Sequence, residues 1–343
     1  LQPDNAAVYS AVVEARSGDG PICVIPTASA DPAGAIAGAL ETLTEYGGDG
    51  SAEGVLITTE EPERARDPAV ASELAGCSGF YFTGGSQSRI LDVFLPRGDT
   101  TAAYRSLRDR WQEGAVVAGT SAGAAMMSRV MISGGSSEEA IVEGVAVAPN
   151  ADGVQLRPGM GFFEPILDQH FLARGRIGRL IVAVAEAETP PVGLGIDENT
   201  ALVVEGDSAV VVGASGVVVV DGRAGRTAES DGVAELTLHL AGTGDVIDLR
   251  SFAVRRGGDK TALPLDDATL DVPEDPFARW AFLHLMQGLA SSSATEISFD
   301  LDGGTIRLTK APDFSAAVSD SSGGVEETAR GLAAGPFRVE LRH

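Results

Sequence analysis

From residue 1 to about 225, short and continuously apolar runs alternate with amphipathic stretches. The runs Ile22–Pro26, Gly54–Thr58 and Gly79–Thr83 have the length of strands, while Asn5–Ala15, Pro32–Tyr46 and Asp67–Ala75 around them are patterned as helices. Strands that are apolar on both faces, alternating with helices, predict βαβ units around a parallel sheet buried on both sides. In such a sheet the chemistry belongs at the carboxyl ends of the strands. After about residue 190 the texture changes. Ala201–Val204, Ala209–Val212 and Val217–Val220 are valine-rich and separated by glycines, which predicts antiparallel hairpins. Arg223–Asp231 is polar and rich in small residues and reads as a linker, and Glu235–Leu240 beyond it alternates polar with apolar. One helix, Pro276–Leu289, and the strands Glu296–Leu301, Thr305–Thr309 and Phe337–Leu341 follow. The expected organisation is an α/β catalytic domain over 1–228 and a β-rich region of unassigned role over 229–343, without an internal repeat.

Composition narrows the function classes. The 343 residues are 44% hydrophobic, enough for a large core, yet no run approaches the roughly 20 apolar residues of a membrane-spanning helix. A net charge of -24, from 49 acidic and 25 basic residues, repels phosphate backbones and argues against a nucleic-acid partner. Such a surface serves chiefly solubility, with attraction of a cationic substrate as the sharper alternative. Cys23 and Cys77 each lie beside an apolar run and are expected as buried free thiols, neither paired nor part of a metal-ligand set. The opening Leu1-Gln2-Pro3-Asp4 lacks the regions of a signal peptide and leads straight into a helical pattern. That abrupt start and the added region lean toward a secreted or periplasmic location.

The strongest local signal runs from Ala115 to Met126, where an apolar strand meets Gly119-Thr120-Ser121-Ala122-Gly123 and small residues then enter a helix. This is the pattern of a nucleophile elbow, whose glycines permit a tight turn that lifts the serine hydroxyl above the sheet. A serine needs a base, and the chain offers four histidines: His170, His239, His284 and His343. His239 falls on the polar side of an alternating strand, His284 within a helix pattern and His343 at the end, whereas His170 stands in a polar cluster, Leu167-Asp168-Gln169-His170-Phe171. In the helix that follows, Ile177, Leu180, Ile181 and Val184 recur as a core stripe, and Arg176 and Arg179 flank it, with Arg174 just ahead. Guanidinium groups suit carboxylate recognition, although surface charge is the alternative. The carboxylate that would orient the histidine is offered by Asp197 or Glu198, which point opposite ways on an extended backbone, and spacing does not choose between them. Phe82-Thr83-Gly84-Gly85-Ser86-Gln87 ends another strand with paired glycines, making the Gly85 amide a second oxyanion donor beside that of Ala122. No zinc, phosphate-loop or dinucleotide spacing is present, so no metal and no cofactor is expected.

Together, Phe82-Thr83-Gly84-Gly85-x-Gln87, Gly119-Thr120-Ser121-Ala122-Gly123-Ala124, Asp168-Gln169-His170-Phe171 with Arg174-Gly175-Arg176-x-Gly178-Arg179, and Gly195-Ile196-Asp197-Glu198-x-Thr200-Ala201 resemble the motif set of cyanophycinases. The resemblance covers residues 1 to roughly 220. It implies a glutamine-amidotransferase-like, three-layer α/β fold with a mainly parallel sheet, and a serine peptidase acting on isoaspartyl bonds. Ser121 would be the nucleophile, His170 the base and Glu198 the acid, with the amides of Gly85 and Ala122 holding the oxyanion. Gln87, Asp168, Gln169, Arg174, Arg176 and Arg179 fall on pocket positions. Cyanophycin is a polyaspartate carrying an arginine on each side-chain carboxyl through an isopeptide bond; the resemblance implies attack on the β-carbonyl and β-aspartyl-arginine as product. Ser86 departs from the aspartate usual at that position, which bears on the substrate. The implied partner is a peptide or polymer substrate, with no nucleic acid and no membrane, and the 229–343 region could bind polymer, support a homodimer or act as an inert cap. Three rival readings are an α-aspartyl dipeptidase of the same fold, an esterase whose histidine comes late in the chain, and a binding protein that keeps the fold without the activity.

Overall fold

The computed structural model describes residues 5–148, 151–186, 191–223, 233–265, 270, 272–319 and 331–342. The chain divides into two compact units, Leu1–Arg129 with Pro158–Phe162, and Val130–Arg157 with Phe163–His343.

The first unit runs α1 (Ala6–Glu14), β1 (Ile22–Ile25), α2 (Pro32–Gly47), β2 (Ala52–Gly54), α3 (Pro68–Ala75), β3 (Gly79–Phe82), α4 (Gln87–Phe94), α5 (Ala102–Gln112), β4 (Val116–Gly119) and α6 (Ala122–Ala125). Its strands form a fully parallel sheet in the order β2-β1-β3-β4. Every side chain of β1 and β3 is buried, as continuous apolar runs require when both faces are covered. Ile22, Val24 and Tyr81 pack with Tyr9 of α1 and Leu43 of α2. Phe82, pointing the other way along the pleat, meets Phe94 of α4 edge-on at 5.9 Å. The run 54–58 departs from expectation: the ladder takes only Ala52–Gly54, and beyond the Val55 amide, which still bonds Val24, the Ile57 carbonyl accepts from the Thr27 hydroxyl instead of a strand.

The cysteines also differ from expectation. Cys23 of β1 and Cys77, two residues before β3, are joined in a disulfide, with Cα atoms 5.8 Å apart. Both are buried as expected, but β1 and β3 are neighbours in the sheet, and that adjacency of residues 54 positions apart is not written in either local sequence.

The second unit runs β5 (Val130–Gly134), α7 (Ser137–Glu143), β6 (Gln155–Pro158), β7 (Ile166–Gln169), α8 (Ile177–Glu186), β8 (Val192–Ile196), β9 (Thr200–Glu205), β10 (Ser208–Gly213), β11 (Gly216–Asp221), β12 (Val233–Gly242), β13 (Val246–Asp248), β14 (Val254–Arg255), β15 (Thr261–Ala262), α9 (Ala281–Ser291), β16 (Glu296–Leu301), β17 (Gly304–Val318) and β18 (Leu332–Arg342). Its main sheet has the order β15-β17-β18-β12-β11-β8-β7, with β16 also on β17. Only β7 and β8 in it are parallel; the other pairs are antiparallel. The predicted stripe of Ile177, Leu180, Ile181 and Val184 is buried, in one core with Phe282, Leu285, Met286 and Leu289 of α9 and with Leu236, Leu308 and Val339 of the sheet.

This sheet takes strands from both sides of residue 228, the boundary expected from sequence. β11 and β12 lie side by side, from Gly216 opposite Gly242 to Asp221 opposite Thr237. Apart from Arg223, the expected linker lies outside the described residues, and the segment containing it joins two neighbouring strands of one sheet. The C-terminal strands therefore extend the sheet that contains β7 and β8. No described helix is long and apolar enough to cross a membrane.

Candidate active site

In the first unit, β4 ends at Gly119 and the chain turns through Ser121 into α6. Ser121 has φ 54° and ψ -114°, a region that side-chain-bearing residues rarely occupy. The glycines explain why the turn closes. A Cβ on Gly119 would stand 2.3 Å from the carbonyl oxygen of Gly123, and one on Gly123 would stand 2.3 Å from that of Phe82. Both positions are therefore closed to a side chain. Gly84 faces the serine, since a Cβ there would lie 3.3 Å from Ser121 Cβ. Gly85 adopts φ +140° against the Ala28 carbonyl, which also accepts from the Ser86 amide at 2.9 Å. The amides of Gly85 and Ala122 have no acceptor among the described residues, the state expected of donors kept for a developing oxyanion. Gln87 opens α4 directly after this turn.

In the second unit, His170 follows the last residue of β7 in a left-handed conformation, φ 51°. Glu198 follows β8, the parallel neighbour of β7, by two residues. Its Oε1 lies 2.7 Å from His170 Nδ1. Asp197 points elsewhere: it is 4% exposed, accepts from the Ala173 amide at 2.9 Å and takes the Ser215 hydroxyl at 2.8 Å. The two adjacent acids thus divide their work, one on the imidazole and one on the turn that carries it. Gly195 makes room for the turn, since a Cβ there would strike the Phe171 ring at 2.3 Å.

Electrostatics favours an unprotonated imidazole beside an ionised carboxylate. Burial pushes the His170 pKa down, the Glu198 hydrogen bond pulls it up, and the nearby Arg174 and Arg176 push it down again, so the net value lies below 6.5. For Glu198, burial opposes ionisation, but the His170 hydrogen bond and the charges of Arg279 and Arg174 prevail and hold it below the ordinary 4.5.

The pocket residues expected from sequence separate into two groups. Asp168 is 1% exposed and gripped by Arg179, whose Nε and Nη2 bond its two oxygens at 2.7 and 2.5 Å. Arg179 also donates to the Gly135 carbonyl, and Asp168 accepts the Gln169 amide. Both side chains are buried against each other, next to the Gln169-His170 turn. Arg176 donates to the Gln169 carbonyl at 2.6 Å, and burial pulls its pKa down to about 10, which leaves it charged at neutral pH. Arg174 is more than half exposed, with Nε 3.8 Å from Glu198 Oε1. Arg279 also reaches Glu198, 3.8 Å from Oε2, and nothing in the pattern around residue 279 marked it. His239 instead borders a cavity with Asp221, Phe252, Asp313 and Arg338; His284 is exposed on α9, and His343 lies outside the described residues.

The profile of peptidase family S51 matches residues 3–212. The chain belongs to peptidase family S51. Among its relatives, the cyanophycinase of Trichormus variabilis is 39% identical over 203 residues, 58% of this chain and 63% of that protein. The cyanophycinase of Geminocystis herdmanii is 34% identical over 238 residues, 66% and 82% of the respective lengths. The chain thus spans less than two thirds of the Trichormus protein. A crystal structure of a peptidase from an acI-B1 Actinobacterium aligns with 63% of this chain and 84% of its own at TM-score 0.47 and 21% identity. The S51 match ends inside β10, so β11 to β18, Arg279 among them, lie beyond it.

Proposed function

We propose that this S51 peptidase degrades cyanophycin to β-aspartyl-arginine dipeptides through an acyl-enzyme on Ser121. The observation that carries the reading is the 2.7 Å contact from Glu198 to His170 Nδ1, which leaves Nε2 to serve a hydroxyl. The strained Ser121 and the two open amides of the first unit supply the complementary parts. The reading requires His170 Nε2 to come within hydrogen-bonding reach of Ser121 Oγ in the working enzyme.

Atom balance corrects the bond expected from sequence. A β-aspartyl-arginine product retains the side-chain isopeptide bond, so the bond that breaks is the main-chain amide joining successive units. Attack on the β-carbonyl would release free arginine. Ser121 Oγ adds to the main-chain carbonyl carbon while His170 takes the hydroxyl proton, and the amides of Gly85 and Ala122 hold the oxyanion. The C–N bond breaks as His170 returns the proton to the leaving amine. Water, deprotonated by His170, then cleaves the ester and restores the serine. Glu198 stays ionised and stabilises the transient imidazolium. The base must be neutral, so activity rises with pH through the His170 pKa, below 6.5.

Incubation with insoluble cyanophycin and with α- and β-aspartyl dipeptides, with products identified by mass spectrometry, tests the proposal. β-Aspartyl-arginine from the polymer is expected. Free arginine would mean β-carbonyl attack, and cleavage of α-aspartyl dipeptides alone would mean a dipeptidase. No fluorophosphonate adduct on Ser121 in folded protein would overturn the serine mechanism altogether.

A further inference from the structure

We propose that a cavity beyond the S51 match, on the face of the main sheet turned away from its core, is a second binding site for a small zwitterionic arginyl group, with Arg338 taking its carboxylate and Asp313 its guanidinium. The choice of an arginyl group rests on the polymer substrate proposed above, whose pendant arginines and released dipeptide both carry this chemistry.

β12, β18 and β17 bury Leu236, Leu238, Phe337 and Val339 in the core, so the alternation of side chains puts Thr237, His239 and Arg338 on the opposite face. In register, Asp221 of β11 stands opposite Thr237, and Thr237 opposite Arg338. The ladder breaks on both sides of Pro336. On one side Leu238 pairs with Phe337 and Leu240 with Ala334, so His239 faces two residues of β18; on the other Lys310 pairs with Phe337 and Ser315 with Gly335, so 311–314 bulge out against Pro336 alone. Such irregularities re-aim side chains, and they concentrate next to functional sites. Here His239, Ala311, Asp313, Pro336 and Arg338 line a cavity of about 380 Å³, within the range of small-ligand sites. Gly335, at φ +140°, leaves room for the imidazole, since a Cβ there would stand 2.8 Å from His239 Nδ1. The wall across from the sheet is Phe252, whose amide donates to the Asp248 carbonyl at 2.7 Å. The Arg223 guanidinium lies 4.9 Å from the centroid of its ring and also bonds both Asp221 oxygens and the carbonyls of Arg250 and Ser251. That strap fixes the wall and neutralises Asp221 from within.

The remaining polar groups of the lining decide what it can hold. Among the described residues, the side chains of Thr237, His239, Asp313 and Arg338 have no hydrogen bond or ion pair. Asp313 and Arg338 are exposed, and Thr237 and His239 are half-buried. Burial holds the His239 pKa below 6.5 against the pull of Asp221 and Asp313, so at neutral pH the ring is an uncharged hydrogen-bonding group. The cavity thus offers one open guanidinium, one open carboxylate and two neutral polar groups. A ligand with a carboxylate alone leaves Asp313 unanswered, and one with a cation alone leaves Arg338 unanswered. An arginyl group with a free α-carboxylate meets both, through charge-assisted hydrogen bonds at each end.

The test titrates β-aspartyl-arginine into the full-length chain carrying isotope-labelled histidine, and reads binding at the His239 ring, whose resonance is assigned by its loss in His239→Gln. The dipeptide is expected to shift that resonance. In Arg338→Gln and in Asp313→Asn its Kd rises about 10- to 100-fold, as for loss of a charge-assisted hydrogen bond. Changes of ligand ask the same question of wild type alone: the dipeptide amide, which lacks the carboxylate, and β-aspartyl-citrulline, which lacks the cation, each bind about 10- to 100-fold more weakly. In Arg338→Gln the acid and the amide bind alike. A His239 resonance that the dipeptide does not move, or an affinity indifferent to both changes of ligand, overturns the proposal. Retention of the Ser121→Ala chain on insoluble cyanophycin separates the two sources. Lower retention when Arg338→Gln is added assigns the site to pendant arginines of the polymer, whereas unchanged retention with the raised dipeptide Kd assigns it to released product. Failure of the proposed activity appears elsewhere, as no dipeptide from wild type and polymer, and leaves the His239 titration standing.

Discussion

Replacing Glu198 by glutamine isolates the contribution of one charge, because the amide keeps the size of the side chain and can still accept from Nδ1. The carboxylate oxygen is 2.7 Å from that nitrogen, and the two side chains are 17% and 29% exposed. Taking a charge separation of about 4 Å and an effective dielectric of about 20, the carboxylate stabilises an imidazolium by roughly 4 kcal/mol. Partial exposure and the neighbouring Arg174 and Arg279 reduce that to about 2–3 kcal/mol, a loss in kcat/KM of about 30- to 150-fold. The pH profile supplies an independent sign. Burial, Arg174 and Arg176 all lower the His170 pKa, and Glu198 alone raises it. With that contribution gone, the imidazolium is less stable, so the acid limb of kcat/KM must move further below its wild-type position. The assay is dipeptide release from soluble cyanophycin across the acid range, with circular dichroism to verify the fold. An unchanged rate, or an acid limb that moves to higher pH, would refute the pairing of Glu198 with the candidate base.

Arg179→Ala leaves Asp168 buried with its bidentate partner gone, and urea unfolding is expected to register a loss of about 3–5 kcal/mol; a loss under 1 kcal/mol would mean that the pair is not structural. The Cys23–Cys77 disulfide closes a loop of sequence separation 54, so Cys77→Ala should cost about 2–4 kcal/mol in thermal or urea unfolding and abolish the effect of reductant on the wild-type melt. Alkylation of two free thiols in the unreduced, unfolded wild type would contradict the bridge. Truncation after residue 228 strips β12 from β11, takes β18 with it and removes α9 from the core, so the fragment should be insoluble or lack a cooperative transition; a folded fragment that still labels at Ser121 would show that the C-terminal strands are dispensable.

Local pattern foretold the elements well wherever one rule governed them. β1, β3, β11 and β16 and the buried stripe of α8 follow directly from apolar runs and helical spacing. The elbow was legible because its glycines serve a local clash, Gly119 against Gly123, within five residues. Long-range partners were not. Nothing near Cys23 names Cys77, and nothing near Val217 names Ala241 as its ladder partner, so the polar stretch after Arg223 read as a linker between domains rather than as part of a connection within one sheet. The pairing of Asp168 with Arg179 was illegible for a related reason. Composition marks them as polar and therefore accessible, whereas their mutual neutralisation, fixed by β7 meeting α8, is what permits their burial. Arg279 was missed because its significance comes from a tertiary contact alone.

Backbone strain links these pieces. Among the described residues, six non-glycine residues have positive φ: Arg97, Ser121, His170, Asn199, Phe252 and Trp280. Four of them are the candidate nucleophile, the candidate base, the residue after Glu198 and the residue that bears Arg279. Each such conformation costs on the order of 1–3 kcal/mol, and it persists only where the surroundings over-determine it. At Ser121 the surroundings are the glycine contacts with Phe82 and Gly123; at His170 they are the Phe171 amide on Ile196 and Asp197 on Ala173; at Trp280 they are the Leu172 carbonyl and the Phe277 cover. Four of those restraints act on the turn 170–175, two from β8 and the residue after it and two from segment 275–280. The C-terminal region therefore bears on the candidate base mechanically, through the turn, as well as electrostatically through Arg279, so a variant that loosens segment 275–280 should disturb His170 even when every residue of the proposed triad is intact.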